Sequence, residues 1–542
     1  MSIESVVRLR QRFASALKIY AILLTLALLL RLPSFFRSVI DWDESIYFMM
    51  AQAWRAGHMP YTTLWDIKPI GLFAILALFQ TIFGDHIYAI RIASVVATAT
   101  TGFLICLIVR RLDRAPGGPR WTFGLFGGIA YVLCSIFNGG MAANAELFFA
   151  PFTSGAVLLA LNWGWQRHRP IIHPFVVGLL IGVSGAVKYV ALVEGLPVLF
   201  ALGYGILADA EPESAGAGTE RRSLTRRFLS TALFLGLGTL VPLLLPVPIY
   251  WLTGHFQDLI DTYYTIFHRV VIGNPFWIAA ALHNWFHQIL WSPLYLAAVI
   301  LIFSAVVGSV RRHAGLLGSR DRVATSLLLV WLFAGFVGVG SLEFIYGHYF
   351  LQLLPPLCAT TGWVVMRLFG DTQRAAPKTI GLLLALILAA QLTSAANVEK
   401  ETLKPVIEAK EPGIGWLKDT PAQIAAAIRP ILSTSPGETI YVFDYQPIIY
   451  PLAGVTPPTR YALPLFLVSR LQGAFTNIDV ARAFEEIMVK RPLFIIVARD
   501  AWGWQLEDHT PATYERIGPV LAAKYQLWKT FDEALIYRRS AP

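Results

Sequence analysis

Cysteine and charged residues are both scarce in this chain. Only three of the 542 residues are cysteine, and Cys106, Cys134 and Cys358 all lie within apolar runs, so we expect no disulfide framework. Charged residues make up 14% of the chain and hydrophobic residues 56%, with a mean hydropathy of +0.57. This composition excludes a soluble globular enzyme of ordinary type.

Several short motifs that mark hydrolases, nucleotide-binding proteins and zinc enzymes are also missing. The sequence has no H-E-x-x-H, no C-x-x-C, no P-loop and no G-x-S-x-G. Asp41-Trp42-Asp43 fits the D-x-D pattern that holds a metal ion on nucleotide-sugar phosphates, but three letters are a weak signal. An activity therefore has to be argued from polar residues and from where the membrane topology places them.

Apolar runs of about 20 residues recur along the chain, and each is long enough to cross a bilayer. The predicted spans lie near 17–36, 88–109, 121–138, 147–165, 171–187, 190–207, 228–252, 288–310, 323–341, 349–367 and 378–396. The first run follows four basic residues and has no small-residue cleavage site. This pattern predicts an uncleaved anchor with a cytoplasmic N-terminus.

Basic residues fall on one side of this predicted topology. The predicted cytoplasmic loops with basic clusters are 110–120, 167–169, 221–227, 311–322 and 367–378. The pI near 9.4 therefore reflects membrane topology rather than nucleic-acid binding, since residues 397–542 carry basic and acidic residues in equal number. An odd number of spans, about 11, leaves that C-terminal part outside.

The first outer loop, 37–87, contains two further helix signals. Residues 44–56 carry apolar side chains at helical spacing, and Glu44, Gln52 and Arg55 supply polar groups. The apolar run 68–84 is bounded by Pro69, which suits a helix start, and Gly84, which suits a helix end. The run is short for a span, so we interpret both segments as interfacial helices on the outer face.

The C-terminal part mixes short strands with helices. Residues 439–444, 493–498 and 534–539 have the composition of strands, and residues 478–490 have the periodicity of an amphipathic helix. These signals predict a small α/β domain on the outer face.

The predicted fold class is an all-α polytopic membrane protein with about 11 transmembrane helices and outer-face interfacial helices, followed by an extracytoplasmic α/β domain. The predicted domains are 1–396 for the transmembrane part and 397–542 for the C-terminal part.

Polar residues near the outer face each have a structural and a chemical interpretation. Asp43 suits a helix N-cap, but it also suits a reactive carboxylate. Lys68 and Arg269 are either snorkelling cations or point charges for a lipid phosphate. Glu146 stands at the start of a span, where burying a carboxylate is costly and suggests a function. His348 alone is more typical of an interfacial hydrogen-bonding residue than of a ligand.

The order of several short motifs is more specific than any one of them. They are D-E-x-x-Y at Asp43, Glu44 and Tyr47, K-P at Lys68 and Pro69, F-G at Phe83 and Gly84, then IYAIRIAS, HRVVIGNPFW and HYFLQLLPPL. In this order the chain resembles the bacterial lipid-linked glycosyltransferases, which are GT-C membrane enzymes of the aminoarabinose transferase and protein O-mannosyltransferase kind. The resemblance spans roughly residues 15–370.

The resemblance implies transfer of a sugar from a polyprenyl-monophosphate donor to an envelope acceptor, with inversion at the anomeric carbon. The acceptor it implies is a lipid A or core sugar, another glycan, or a protein hydroxyl. The implied partners are this donor, this acceptor and the lipid bilayer, with no nucleic acid. The implied location is the outer face of the cytoplasmic (inner) membrane.

The resemblance also implies roles for particular residues. The implied catalytic residues are Asp43, Glu44 and Glu146. The implied substrate-binding residues are Tyr47, Lys68, Arg269, His348 and Tyr349, of which Lys68, Arg269 and Tyr349 match the positions that hold the lipid phosphate.

One position departs from the family pattern. In the aminoarabinose branch a Glu that can bind a metal ion precedes the K-P pair, whereas this chain has Ile67 there and Asp66 one residue earlier. The residue before Lys68 therefore gives no support for a divalent metal ion, and no cofactor is predicted.

Other functional classes remain as alternatives. A secondary transporter predicts interrupted spans paired between two halves and ionisable groups at mid-bilayer, whereas here the ionisable groups cluster at one face. A sensor carried by the outer domain would leave Asp43 and Lys68 without a purpose. A ligase or polymerase that uses a lipid diphosphate is the alternative within the enzyme class.

Overall fold

The computed structural model describes residues 3–113, 121–209, 217–271, 319–341, 346–369, 419–470, 476–499 and 511–540, together with the single positions 299, 396 and 472. The chain divides into two compact units. Unit 1 consists of Met1–Arg31, Ile92–Pro248 and Gly273–Glu399. Unit 2 consists of Leu32–Arg91, Ile249–Ile272 and Lys400–Pro542.

Unit 1 is built from apolar helices. Its described helices are Ile3–Arg31, most of Ile87–Leu112, Trp121–Cys134, Ala145–Ala160, Trp163–His168, Ile172–Val187, Gly195–Ala208, Ala217–Leu244, Ser319–Gly340 and Leu354–Phe369. Two 3₁₀ segments, Tyr189–Glu194 and Gly347–Leu353, each lead directly into the helix that follows. The core contains Trp331, whose indole N–H donates to the buried Glu194 carboxylate at 2.5 Å.

Six helical stretches among the described residues are long and apolar enough to cross a membrane. They are Phe13–Phe36, Ile87–Leu112, Tyr189–Ala208, Ser223–Leu252, Arg322–Gly340 and Gly347–Arg367. The shorter apolar helices are Ile70–Phe83, Trp121–Cys134, Ala145–Ala160 and Ile172–Val187. The predicted spans 288–310 and 378–396 lie outside the described residues except for one position each, so the count of about 11 stays a prediction.

Two helices of unit 1 meet through glycine. Gly178 and Gly182 lie four positions apart in Ile172–Val187, and a Cβ at either would collide with the backbone oxygen of Leu235 or Thr239 in the facing helix. Small residues at this spacing let two membrane helices approach backbone to backbone. Close packing of this kind explains why an all-apolar helix pair has a fixed register.

Unit 2 contains the first outer loop, a segment near residue 260 and the C-terminal sheet. Its helices are Trp42–Arg55, Ile70–Phe83, most of Pro246–Leu252, Phe256–Val271, Thr420–Ser433, Ile449–Ala453, Leu465–Val468, Val480–Val489 and Pro511–Lys524, and its 3₁₀ segment is Leu32–Phe36. The predicted domain boundary at 396 and 397 stays a prediction. In the structure, however, residues 32–91 and 249–272 group with the C-terminal part.

The sheet has four strands, β1 (Ile440–Val442), β2 (Phe494–Ala498), β3 (Tyr525–Thr530) and β4 (Ala534–Arg539). Their order is β1-β2-β4-β3, with β1 parallel to β2 and the other pairs antiparallel. The helix Val480–Val489 packs its buried Ala483, Phe484 and Ile487 into the same core as Tyr441 and Ile495 of the sheet. Three strands and this helix match the sequence prediction, and β3 was not predicted.

The two segments predicted as interfacial helices are helical, as Trp42–Arg55 and Ile70–Phe83, and their position at the outer membrane face stays a prediction. The second ends at Gly84, whose φ of +87° suits glycine, while Pro69 is the N-cap residue rather than the first helical one. The Gln80 side-chain amide donates to the Phe48 carbonyl at 3.0 Å and ties the two helices together. Their common packing fixes the polar residues at their N-terminal ends.

Candidate active site

Asp41 caps the helix Trp42–Arg55. Its backbone is extended (φ −135°, ψ 150°), and its carboxylate accepts a hydrogen bond from the Asp43 N–H at 2.9 Å. The interpretation of Asp43 as the N-cap is therefore wrong, because Asp43 already lies inside the first turn. Capping falls to Asp41, and the Asp43 carboxylate has other partners.

Asp43, Tyr47 and Lys68 come together at the start of this helix. The Tyr47 hydroxyl, one turn further on, donates to Asp43 Oδ2 at 2.9 Å, and Lys68 Nζ lies 3.5 Å from the same oxygen. The side chains of Asp43 and Lys68 are 18% and 11% exposed. Strong charge-assisted contacts between such groups are about 2.7–2.9 Å long, so this ion pair is loose. A loose, nearly buried pair can exchange partners when a charged ligand arrives.

The backbone of Lys68 is held by Tyr61, a residue that the sequence analysis did not single out. The Tyr61 hydroxyl donates to the Lys68 carbonyl at 2.7 Å, and its ring packs edge-on against Phe73. Burial raises the pKa of Tyr61 well above its usual value, so the phenol stays a donor. Its φ of +70° is uncommon for a residue other than glycine and marks a strained turn, as is often found at functional sites.

Glu44 faces away from this cluster into a different one. Its Oε1 accepts from the Ile40 N–H at 2.5 Å and from Arg91 Nη2 at 2.7 Å. Arg91 Nη1 donates to the carbonyl of Ser34 and, at 2.5 Å, to that of Arg37. The Glu44 and Arg91 side chains are 0% and 1% exposed. These buried contacts hold the backbone of segment 34–40 in place. The catalytic assignment of Glu44 stays a prediction.

Unit 1 holds a second cluster, formed by Glu146, Lys188 and Tyr349. Glu146 lies in the first turn of the helix Ala145–Ala160 and accepts a hydrogen bond from Lys188 Nζ. The same Nζ lies 3.8 Å from the centroid of the Tyr349 ring, close enough for a cation–π contact. The Glu146 and Lys188 side chains are 1% and 3% exposed, so the ion pair is buried.

Lys188 was missed by the sequence analysis, although a signal for it exists. It stands between two predicted spans, 171–187 and 190–207, and the backbone there changes from α-helix to a 3₁₀ segment. An ionisable residue in a two-residue loop between spans stands at the end of a span, where burying a charge is costly, and is by itself a functional-site hypothesis. The reasoning that singled out Glu146 therefore applies equally to Lys188.

His348 belongs to a group of aromatic rings. Its ring is parallel to that of Tyr346 at 5.8 Å and perpendicular to that of Tyr349 at 4.7 Å. The 3₁₀ segment Gly347–Leu353 carries both His348 and Tyr349. His348 thus fixes the face of the Tyr349 ring, which in turn contacts Lys188.

Arg269 lies in the helix Phe256–Val271, but its side chain lies outside the described residues. Its phosphate-binding role therefore stays a prediction.

No group of three or more His, Cys, Asp or Glu side chains that could hold a metal ion occurs within the described part of the chain. Ile67, at the position of the metal-binding Glu in the aminoarabinose branch, is buried, and its N–H donates to the Asp66 carboxylate at 2.7 Å. The absence of a cofactor stays a prediction.

The family model described as dolichyl-phosphate-mannose-protein mannosyltransferase matches residues 67–213. Two curated relatives are undecaprenyl phosphate-alpha-4-amino-4-deoxy-L-arabinose arabinosyl transferases, from Pseudomonas aeruginosa (strain UCBPP-PA14) and Pseudomonas paraeruginosa (strain DSM 24068 / PA7). Each is 30% identical over 188 residues, which cover 32% of this chain and 32% of the relative. The match thus spans about a third of the length of these relatives.

A solved structure extends the comparison to the whole chain. The crystal structure of ArnT from Cupriavidus metallidurans bound to undecaprenyl phosphate matches with a TM-score of 0.56 at 14% identity, over 100% of this chain and 99% of that one. The chain shares the fold of that structure. The resemblance seen in the sequence is confirmed, and so is the fold class of a helical multi-pass membrane protein with a small C-terminal sheet.

Proposed function

We propose that this GT-C protein is a membrane glycosyltransferase that moves a sugar from a polyprenyl-monophosphate carrier to an envelope acceptor, with inversion at the anomeric carbon. The fold and the partial match to lipid-linked transferases support this proposal. The observation that carries it is the cluster of Asp43, Tyr47 and Lys68, in which a carboxylate oriented by a hydroxyl lies 3.5 Å from a cation.

The proposed reaction needs one base and one anion-binding cation. The acceptor hydroxyl oxygen forms a bond to the anomeric carbon, and its proton passes to the Asp43 carboxylate. The bond between that carbon and the phosphate oxygen breaks, and the polyprenyl phosphate leaves with the electron pair. Lys68 stabilises the charge that develops on the leaving phosphate.

The loose ion pair explains how the base becomes available. Without donor, Lys68 partly neutralises Asp43. A phosphate competes for Lys68 and forms a shorter, charge-assisted contact with it. Asp43 then keeps the hydrogen bond from Tyr47, which fixes the direction of the carboxylate, and loses the cation that lowers its basicity.

Lys188 is the proposed positioning residue of the second cluster. A carboxylate at 1% exposure requires a partner, and the Lys188 ammonium supplies one to Glu146 while it contacts the Tyr349 ring. Both Glu146 and Tyr349 match functional positions of the resembled family. Lys188 thus sets the place of two proposed site residues through one charge.

The proposed location is the inner membrane, with the N-terminus in the cytoplasm and the C-terminal domain outside. Basic clusters on one side of the predicted topology support this orientation. Reporter fusions test it: a fusion after residue 225 should report cytoplasm, and a fusion after residue 60 should report the outside. A cytoplasmic signal at residue 60 would contradict an active site on the outer face of the membrane.

A purified full-length preparation tests the reaction. The donors to supply are undecaprenyl phosphate-linked aminoarabinose and polyprenyl phosphate-linked mannose, and the measurement is release of the free polyprenyl phosphate. In Lys68→Ala the loss of one charge-assisted phosphate contact should cost about 1.5–3 kcal/mol, or roughly a 10- to 150-fold fall in kcat/KM for the donor.

The matched control is Lys524→Ala, which removes an exposed lysine at the end of the helix Pro511–Lys524. It should leave kcat/KM unchanged. Absence of phosphate release from either donor by the wild-type protein, or full activity of Lys68→Ala at limiting donor, contradicts the proposal.

A further inference from the structure

Arg460, in the C-terminal part of unit 2, joins that part to two other segments of the same unit. Its Nη1 donates to Asp258 Oδ1 at 3.1 Å, in the helix Phe256–Val271, and its Nη2 donates to the Tyr61 carbonyl at 2.5 Å, in the first outer loop. Its backbone carbonyl accepts from the Trp65 N–H of the same loop at 2.9 Å. A planar guanidinium suits this position, because it holds two acceptors at once in fixed directions.

Trp65 adds side-chain contacts to the same connection. Its indole N–H donates to Thr262 Oγ1 at 3.0 Å, in the neighbouring helix. Its ring is 4% exposed and packs edge-on against Tyr461 at 5.7 Å and Phe466 at 4.9 Å, both in the C-terminal part. The short segment from Tyr61 to Trp65 is therefore held at both of its ends by the C-terminal part.

Tyr61 carries this connection to the proposed reaction centre. Its carbonyl accepts from Arg460, while its hydroxyl donates to the Lys68 carbonyl at 2.7 Å. The positive φ of Tyr61 is a strained conformation, which persists only where surrounding contacts hold it. Lys68 Nζ in turn lies 3.5 Å from Asp43. A continuous set of contacts thus runs from Arg460 through Tyr61 to the cation proposed to hold the donor phosphate.

A second contact joins the C-terminal part to the first outer loop at a different place. Asp419 accepts hydrogen bonds from the Ser38 N–H at 2.5 Å and from the Ser38 hydroxyl at 2.6 Å. Ser38 lies in segment 34–40, which the buried pair of Glu44 and Arg91 also holds. This contact involves the same two parts of the unit, so it offers a comparison for the contacts of Arg460.

We infer that Arg460 is a positioning residue for Lys68, and that the C-terminal part is therefore required for tight binding of the donor phosphate. The inference rests on the proposed function and adds to it a residue outside the reaction centre. Arg460 fixes Tyr61, and Tyr61 fixes the backbone from which the Lys68 side chain extends. Loss of the Arg460 contact lets Tyr61 leave its strained conformation and moves Lys68 away from the phosphate.

Binding of undecaprenyl phosphate to the detergent-solubilised full-length protein tests this inference, with calorimetric titration as the measurement. Arg460→Met removes the guanidinium and keeps an apolar stem, and it should raise the Kd about fivefold at unchanged stoichiometry, the equivalent of one hydrogen bond. Tyr61→Phe keeps the ring and removes only the hydroxyl that contacts Lys68. It should raise the Kd by a similar factor, and it tests the same route where Arg460→Met does not fold.

A double variant separates positioning of Lys68 from a general effect on the protein. In the Lys68→Ala background, Arg460→Met should change the Kd by less than about twofold, because both substitutions act on one phosphate contact. A full fivefold rise in that background would mean that Arg460 acts by another route, and it would overturn the inference.

Two matched controls address charge and loop attachment. Arg482→Met removes an arginine of the same C-terminal part, whose side chain is 76% exposed and pairs with Glu486. Ser38→Ala removes the hydroxyl contact of the first outer loop with Asp419. Both variants should leave the Kd unchanged. A rise in Ser38→Ala equal to that in Arg460→Met would assign the effect to loosening of the whole loop and overturn the inference.

The carrier-binding measurement also separates this inference from the proposed function. A wild-type protein that binds undecaprenyl phosphate but transfers no sugar contradicts the proposed function, and the Kd values of the variants still decide the role of Arg460. An unchanged Kd in both Arg460→Met and Tyr61→Phe overturns the inference, even where the wild-type protein is an active transferase. Absence of carrier binding by the wild-type protein overturns it as well.

Discussion

Asp43 and Glu44 are neighbours in the sequence, and the structure gives their carboxylates different environments. Asp43 pairs with Lys68 at 3.5 Å, and its side chain is 18% exposed. Glu44 pairs with Arg91 at 2.7 Å, and its side chain is 0% exposed. The short, fully buried pair holds backbone in place, whereas the longer pair is slightly exposed to solvent. Adjacent acidic residues in one motif therefore do not need to share one role.

The two cations show the same contrast. The Arg91 guanidinium donates hydrogen bonds to Glu44 and to the carbonyls of Ser34 and Arg37. The planar group thus makes several contacts of fixed geometry. Lys68 presents a single ammonium on a flexible stem, which can turn from a carboxylate to a phosphate. The two cations thus match a structural role for Arg91 and the proposed phosphate-binding role for Lys68.

Breaking the buried pair should have the largest effect. Arg91→Met leaves the Glu44 carboxylate buried without its cation, and loss of one partner of such a pair costs about 3–5 kcal/mol of unfolding free energy. Thermal unfolding of the purified protein in detergent and its level in membranes measure this loss. The double variant Glu44→Gln, Arg91→Met should recover most of it. A fully stable Arg91→Met would remove the structural role of the pair.

Breaking the open pair should affect rate rather than stability. Asp43→Asn removes charge and basicity at nearly constant shape, and the transfer rate should fall by roughly a hundredfold, as for loss of a positioned base. The matched control is Asp41→Asn, two residues earlier at the N-cap. Because Asn caps a helix about as well as Asp, this change should leave the transfer rate nearly unchanged. A near-normal rate in Asp43→Asn would move the catalytic assignment to another carboxylate.

Asp444 is a third carboxylate to compare with Asp43 and Glu44. Its hydrogen-bond donors are neutral groups, whereas the other two carboxylates pair with cations. It follows β1 and accepts from the Ala498 N–H at 2.6 Å and from the Tyr514 hydroxyl at 3.0 Å. Burial raises the pKa of Asp444 to about 6, against the lowering effect of these two hydrogen bonds.

The raised pKa gives a definite sign to the pH dependence. Between about pH 4 and pH 6 the folded state binds a proton that the unfolded state releases, so stability should fall as pH rises through this window, by at most about 3 kcal/mol. Amide hydrogen exchange of β1 and β2 across that pH range measures the effect. Asp444→Asn should abolish the slope, and a slope that persists in this variant would assign it to another group.

Loss of the orienting hydroxyl should have the smallest effect. Tyr47→Phe removes one hydrogen bond to Asp43 and leaves the Lys68 contact. The activation barrier for transfer should rise by about 1 kcal/mol, so kcat should fall by close to fivefold. The KM for the donor should stay constant, which separates orientation of the base from binding of the phosphate. An altered donor KM with unchanged kcat would contradict this division.

Local patterns in the sequence predict much of this fold. Helical spacing and apolar runs predict the helices Trp42–Arg55, Ile70–Phe83 and Ile87–Leu112, since those signals depend on residues a few positions apart. Strand β3 escapes prediction for the same reason. It starts directly after a helix ends at Lys524, with no turn residue between them, and its side chains are mostly exposed.

The site is predicted less completely, because its partners are distant in sequence. D-E-x-x-Y and K-P predict that Asp43, Tyr47 and Lys68 matter, and the structure brings those three together. No local pattern tells that Glu44 pairs with a residue 47 positions later, or that Glu146 pairs with one 42 positions later. Side chains that meet only after the helices have packed leave no periodic signal.

The shared oxygen of Asp43 has a consequence for the order in which the substrates act. While Lys68 is bound to Asp43, a hydroxyl that reaches the carboxylate meets a neutralised partner, so an acceptor that arrives first forms an unproductive complex. Arrival of the phosphorylated lipid draws Lys68 away and makes the following encounter productive. On the proposed function we therefore expect a compulsory sequence, lipid before acceptor, in which excess acceptor inhibits transfer in competition with the lipid.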